Sequence, residues 1–574
     1  MKTVLKKLTV LAIGLQVGGS ISAQAVLDIN QIRTEVLPRN SLFLNPQQQS
    51  ANYEVPQGSG KHSMYSSNLW FIGQNTSNQT LHGFAEFYVT NGQETSTGPL
   101  KTDGTASTDM ATVMEFGRVW KLNRTDIDAL ILAQGNGSLA SGAYVPPVDI
   151  VEWPGNGPQN YALELAPFYD ANSDNQYNIL DGDYPIMKGE QMLYWILNDN
   201  FGPHLESGLS PMGVEIHISF YACKNNDATG NDDIINYTTF LEYEIINRST
   251  ITYENVYAGF NTDADIGFAQ DDFVGSHVDA DAFYFYNGDT IDGQGQAQVP
   301  AHYGANWPVQ SIQFLEGASA LNNRQMAGFM YYSNGAGATG APAVGNGTQF
   351  YNLLQSKFVE GSQLHFGGIG FPGSSGATNT QAAYMFPGVS DPTHQGTGGL
   401  DPGFIWTQQY LCPSCPESAA SDVRGVGSSG PYDLAPGGSV KVVLGLISTF
   451  DSTLAIPERV EKNRAQNKVL KQWYDANALP CVYSQLSDEE IGGQISLALQ
   501  PNPANDMVYI SGEKLLAQTK YEVLDINGRL IHSISGQQDG QMSLDVSGLN
   551  TGIYFVRITL KNGQNHTLKF IKSE

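Results

Sequence analysis

Twelve residues in the first half of the chain carry its clearest chemistry. Asp170-Ala-Asn172-Ser-Asp174-Asn-Gln176-Tyr-Asn178-Ile-Leu-Asp181 sets oxygen-bearing side chains at positions 1, 3, 5, 9 and 12 of a loop, and Gln176 at position 7 offers its backbone carbonyl. Calcium takes six to eight hard oxygens at about 2.3 to 2.6 Å, and carboxylates crowded this closely repel one another unless a cation joins them. The spacing predicts a structural calcium loop with Asp170, Asn172, Asp174, Gln176, Asn178 and Asp181 as ligands. Asn175 stands where such loops usually carry glycine, although Asn tolerates the left-handed conformation better than most residues. Pro167 before the loop and Gly182 and Pro185 after it leave no flanking helix. The competing reading is a solvated turn rich in Asn and Asp.

Asp at position 12 and Asn at position 9 resemble the calcium loops of dockerins and thrombospondin-type repeats more than those of cytosolic EF-hands. A second acidic group, Asp263-Ala-Asp265 followed by Asp271-Asp272, supports three readings: turn capping in a solvated loop, another calcium site, or an acid pair for glycoside hydrolysis. Cys412-Pro-Ser-Cys415 fits a local disulfide, a redox pair or half a zinc site. No second Cys-x-x-Cys completes a zinc set, so a structural disulfide is expected, and the pairing of Cys223 and Cys481 stays open. There is no His-Glu-x-x-His helix, no phosphate loop and no Gly-x-Ser-x-Gly elbow. Gly373-Ser-Ser-Gly376 and Gly427-Ser-Ser-Gly430 come near the last but lack a glycine in register.

The elements that must position these residues are mostly strands. The chain has 574 residues, 62 of them glycine, with only 15% charged residues, which favours many turns between short strands over long solvated helices. Val214-Glu-Ile-His-Ile-Ser-Phe220 and Phe240-Leu-Glu-Tyr-Glu-Ile-Ile246 alternate apolar and polar residues and predict a long-looped hairpin, half-buried, with His217 on its solvent face. Further strands are expected at 69–72, 83–89, 191–197, 282–286 and 440–447. Helices are expected at 124–133 and 457–476, the latter opened by Pro457 and carrying Val460, Val469, Leu470 and Trp473. Residues 333–400 lack periodicity and are read as long ordered loops.

Both ends carry addresses. Lys2, Lys6 and Lys7 precede an apolar run, Leu8 to Leu15, and small residues around Ala23 and Ala25, the pattern of a secretory signal peptide over residues 1–24. A net charge of −27 argues against nucleic acid, whose phosphates need clustered Lys and Arg. After Cys481 the pattern becomes compact, with six or seven short strands and Asn527-Gly528 and Asn562-Gly563 as hairpin turns, which predicts a small sandwich.

Pro501-Asn-Pro503, Tyr521-Glu-Val-Leu-Asp-Ile-Asn-Gly528, Leu544-Asp-Val-Ser-Gly-Leu549, Gly552-Ile-Tyr-Phe-Val-Arg557 and Lys569-Phe-Ile-Lys572 resemble, in order and spacing, the type A C-terminal sorting domain of the type IX secretion system of Bacteroidetes. The resemblance implies an Ig-like fold, recognition by the secretion translocon, and release or attachment of the cargo to surface lipopolysaccharide. Leu69-Trp-Phe-Ile-Gly73, Thr97-Gly-Pro-Leu100, Phe168-Tyr-Asp-Ala-Asn172, Asp181-Gly-Asp-Tyr-Pro185 and Gln270-Asp-Asp-Phe-Val-Gly275 resemble a group of uncharacterised cargo proteins with this tail, a likeness that brings no activity with it.

The expectation is a mainly β protein: a signal peptide at 1–24, a large sandwich-like body at 25–480, in one lobe or two, with few helices, a linker at 481–486 and a small Ig-like sandwich at 487–574. The body is read as a structural, adhesive or binding module for a glycan or protein ligand. The rival is a secreted hydrolase of polysaccharide or peptide using Asp263, Asp265, Asp271 and Asp272.

Overall fold

The structure is a computed structural model. It describes residues 24–573 apart from 89–92, 226–233, 319–323, 336, 338, 478, 481–497, 501–503, 512–518, 525–529, 537–540 and 560–564. Residues 1–23, the linker at 481–486 and both Asn-Gly turns of the tail therefore lie outside the described residues. The chain divides into two compact units, Met1–Val482 and Tyr483–Glu574.

The first unit is built on a nine-stranded sheet. Its path runs Trp120–Asn123, Gln191–Asn198, Val214–Ala222, Thr238–Asn247, Ser439–Phe450, Pro308–Glu316, Ala282–Asn287 and Asp272–His277, with Ser96–Thr97 also pairing Gln191–Asn198. Alternation along Gln191–Asn198 feeds two cores. Leu193, Trp195 and Leu197 face one hydrophobic cluster, and Met192, Tyr194 and Ile196 face another. The first cluster is shared with a five-stranded sheet ordered Gly328–Tyr332, Arg424–Leu434, Tyr253–Asp263, Ser66–Asn75 and Leu81–Phe84. The second is shared with Ile127 and Leu130 of the helix Arg124–Gly135 and Leu470 of the helix Ile456–Asp475. The molecule is mainly β, with sheets packed face to face and helices on an outer face.

Several expectations change on contact with this packing. The hairpin of Val214–Ala222 and Thr238–Asn247 forms in antiparallel register, but its supposedly solvated face is partly covered: Tyr221 and Phe240 join the second core and Glu215 is buried, while Glu244 stays exposed. His217 is consequently buried, with Tyr194 Oη 2.6 Å from Nδ1 and Glu215 Oε1 2.8 Å from Nε2. It is no surface histidine. The strand expected at 83–89 pairs only over Leu81–Phe84, after which the chain leaves the sheet. The helix Ile456–Asp475 buries Arg459, Asn463, Gln466 and Asn467 beside Leu470. It docks through a hydrogen-bonded seam, in which Asn463 Nδ2 donates to Ser311 Oγ (3.1 Å) and Thr449 Oγ1 (2.9 Å), and Asn467 Nδ2 donates to Ser311 Oγ (2.9 Å). The expected apolar residues dock beside this seam, Leu470, Val469 and Trp473 on the second core and Val460 on the first. The loops at 333–400 contain a helix, Gly347–Leu354, that periodicity did not reveal.

The second unit holds a three-stranded sheet, Ala498–Gln500, Met507–Ser511 and Gln541–Asp545, and a four-stranded sheet ordered Leu530–Gly536, Thr519–Leu524, Gly552–Thr559 and Asn565–Lys572. Val508, Ile510, Tyr521, Val523, Val556, Ile558 and Phe570 form its own core. Two antiparallel sheets around one core make a small sandwich.

Candidate functional site

Sheet register builds the site. Tyr253–Asp263 pairs antiparallel with Arg424–Leu434 so that Asp263 lies opposite Arg424. Asp265 follows one strand end by two residues, and Asp422 precedes the other by two, so four charged groups meet at one corner of the five-stranded sheet. The glycine-rich start of Arg424–Leu434 allows close packing beneath them, because a Cβ on Gly427 would fall 2.6 Å from the Phe283 ring. The Gly427-Ser-Ser-Gly430 phrase is thus strand interior, with no exposed serine elbow.

Arg424 organises the corner. Its Nη2 lies 3.0 Å from Asp263 Oδ2, its Nη1 donates to Asp422 Oδ1 (2.6 Å), and its Nε donates to Tyr88 Oη (3.3 Å). The Tyr88 hydroxyl donates to Asp263 Oδ2. Tyr65 stands edge-on to Tyr88, ring centroids 5.9 Å apart. These residues, with Leu44, Pro46, Gln49, Ala269 and Asn334, line a cleft of about 340 Å³. A smaller cavity of about 190 Å³ shares Tyr88, Asn334 and Arg424 with it and is also lined by Glu206 and Tyr332.

One oxygen from each of Asp263, Asp265 and Asp422 lies within 4.8 Å of the others, a convergence found at this one place among the described residues. Burial raises the Asp263 carboxyl above the ordinary range even though Arg424 and Tyr88 pull it down. Asp265 is raised by burial and by the negative charges of Asp263 and Asp422.

The predicted acidic set is therefore split. Asp263 and Asp265 converge as a pair, and Asp422 joins them from 157 residues further along the chain, which no local motif could show. Asp271 and Asp272 do other work: Asp271 Oδ2 accepts from Gly293 N (2.8 Å) and Asp272 Oδ2 from Ile266 N (3.0 Å), each holding a loop. Asp271 and Asp272 stand outside the three-carboxylate group, although the charge of Asp265 still helps to raise the Asp272 carboxyl.

In the loop at 170–181, Asp170 Oδ2 accepts from Asn175 N (2.8 Å), Asn172 Oδ1 from Asp174 N (3.0 Å), Asp174 Oδ1 from Gln176 N (2.8 Å) and Asn178 Oδ1 from Leu180 N (3.1 Å). Asn178 Nδ2 donates to Asp181 Oδ2 (2.5 Å). Asn175 takes φ 56°, the left-handed conformation that its position in the spacing calls for. Buried Asp183, outside the predicted ligand set, accepts from Ala171 N (2.9 Å) and Asn178 N (2.8 Å) and ties the loop to the body. Side-chain oxygens of Asp170, Asn172, Asp174 and Asn178 thus already accept backbone N–H groups within the loop. Elsewhere Cys412 and Cys415 form a disulfide, and Cys223 is also disulfide-bonded.

The family described as "Secretion system C-terminal sorting domain" matches residues 498–573. The tail is a type IX sorting domain. The protein is accordingly exported to the cell surface or beyond, and its sorting domain engages the type IX machinery. No helix among the described residues is long and apolar enough to cross a membrane. No curated protein matches the chain. Among solved structures, a DUF3244 family protein with an immunoglobulin-like β-sandwich from Bacteroides vulgatus is 12% identical, covering 14% of this chain and 96% of its own, with a TM-score of 0.12. A polysaccharide lyase is 7% identical over 62% of this chain and 34% of its own, with a TM-score of 0.16. A biofilm-associated protein BSP domain is 10% identical over 67% and 60%, with a TM-score of 0.13.

Proposed function

We propose that the body is a binding module working outside the cell, and that it captures a carbohydrate in the cleft between Tyr65, Tyr88, Asp265 and Arg424. One observation carries the reading: an aromatic pair stands beside three carboxylates and a fixed guanidinium in a cavity of sugar size. Aromatic rings stack on the apolar faces of sugars, and ionised groups make the strong hydrogen bonds to hydroxyls. A calcium ion in the 170–181 loop rigidifies the body, and after export the cargo is released or attached to lipopolysaccharide through the tail.

A second reading, hydrolysis of polysaccharide or peptide, has one observation in its favour: carboxyls converge in a cavity. Against it, Arg424 holds both Asp263 and Asp422, leaving Asp265 alone to act as acid or base, whereas glycoside hydrolysis uses two carboxyls flanking the bond. A glycan array run beside turnover assays on chromogenic sugars and peptides separates the two. Capture lost in Tyr65→Ala and Asp265→Asn, without turnover, supports binding. Turnover abolished by Asp265→Asn overturns it in favour of the hydrolase.

A further inference from the structure

We infer that the cleft holds a calcium ion between Asp263, Asp265 and Asp422, a site separate from the 170–181 loop. The three carboxylates present one ligand oxygen each within 4.8 Å of one another. Independently of that clustering, the Asp263 side chain is only 4% exposed, and while Tyr88 and Arg424 hold its Oδ2, its buried Oδ1 has no hydrogen-bond partner among the described residues. Burying an unpaired carboxylate oxygen is costly unless a cation or a donor meets it. Among the described residues no such donor meets it: Arg424 spends its Nη2 on Asp263 Oδ2 and its Nη1 on Asp422 Oδ1. With all three acids ionised, three negative charges face one guanidinium, and a divalent ion would close that imbalance.

The donor chemistry selects the ion. All three ligands are carboxylate oxygens, the set that suits hard cations and not thiolate- or imidazole-seeking metals. Three protein ligands leave positions open toward the cleft, because calcium takes six to eight oxygens. Those positions accept water or a pair of adjacent sugar hydroxyls. This last step rests on the carbohydrate reading above; the ion site itself does not.

Terbium luminescence, excited through nearby tyrosines, tests the site in the full chain. The Asp170→Ala, Asp174→Ala variant silences the other loop. In that background a saturable signal displaced by calcium is expected, and it disappears when Asp265→Asn and Asp422→Asn are added. A signal already lost with the 170–181 loop, or one unmoved by the cleft substitutions, overturns the inference. Asp422→Lys is a second handle, since its ammonium replaces the ion's charge: far-UV circular dichroism like the parent's, with no terbium signal, is expected, and undiminished binding refutes the site. Glycan capture is read in parallel with and without chelator. Capture that persists without any cation bound overturns the step in which the ion presents sugar hydroxyls and leaves the carbohydrate reading standing. A bound cation with no capture on any glycan supports the ion site while sinking that reading.

Discussion

The tail and the body organise their information differently. In the tail, Thr519–Leu524 pairs Leu530–Gly536 and Gly552–Thr559 pairs Asn565–Lys572 as hairpins, while Met507–Ser511 pairs Gln541–Asp545 and Thr519–Leu524 pairs Gly552–Thr559 across intervening strands of the same small unit. In the body, the decisive pairing joins Asp263 to Arg424, 161 residues apart. A unit whose pairings all close within its own short stretch of chain leaves its signature in phrases of fixed order, whereas a site made by register across the whole body leaves none. The same comparison separates delivery from work, because the tail addresses the molecule and the body holds the cleft.

The largest effect expected from breaking this division is in localisation. Deleting residues 487–574 should leave the protein in the periplasm, measured by fractionation and surface protease accessibility, while its body keeps its fold. Next is stability. Trp70 is fully buried, with Nε1 donating to Glu86 O (2.9 Å) and its ring edge-on to Phe350 at 4.9 Å. Trp70→Ala should cost the body about 3–5 kcal/mol. Val556→Ala, in the separate core of the tail, should lower only the tail's transition in calorimetry, and one merged transition moved by both would mean a shared core.

Smaller again is the effect of calcium. Chelation should lower the melting temperature of the body, and Asp170→Ala with Asp174→Ala should remove the share of that shift due to the 170–181 loop. Equal melting with and without chelator would dismiss calcium from the loop and the cleft alike. The smallest effect is a pH dependence. Burial pushes Glu86 up to about 8 from its ordinary 4.5, with Glu94 and Glu206 adding to the rise and a hydrogen bond from the Glu94 backbone opposing it, while Arg39 is the facing cation. A carboxyl raised on folding contributes stability that is complete below the unfolded value and lost as pH rises through the folded one. The body should therefore weaken between about pH 4.5 and 8, and Glu86→Gln should flatten that slope in urea melts.

How much was legible follows the same division. Alternation located the long strands at 191–198, 214–222, 238–247 and 439–450 because these residues sit in regular sheet, yet it misjudged His217. Period 2 shows which residues share a face and not whether a second layer covers the other. The helix at 456–475 was found from Pro457 and length, while its buried Asn463 and Asn467 look like surface residues in sequence. Asp263 and Asp265 were legible as a pair of acids two residues apart. Asp422, Arg424 and Tyr88 were not, since they come from other strands or from the loop beyond them, and Asp271 and Asp272 were grouped with the pair only because they were close in sequence.

The central claim is that ligand capture belongs to the cleft of the body and transport to the tail. It is tested most directly by glycan capture on the intact purified protein, comparing the parent, the Tyr65→Ala, Asp265→Asn variant and a chain lacking residues 487–574. The expected result is capture by the parent and by the tail-less chain, and none by the cleft variant. Capture that survives the cleft substitutions, or that vanishes with the tail alone, would contradict it.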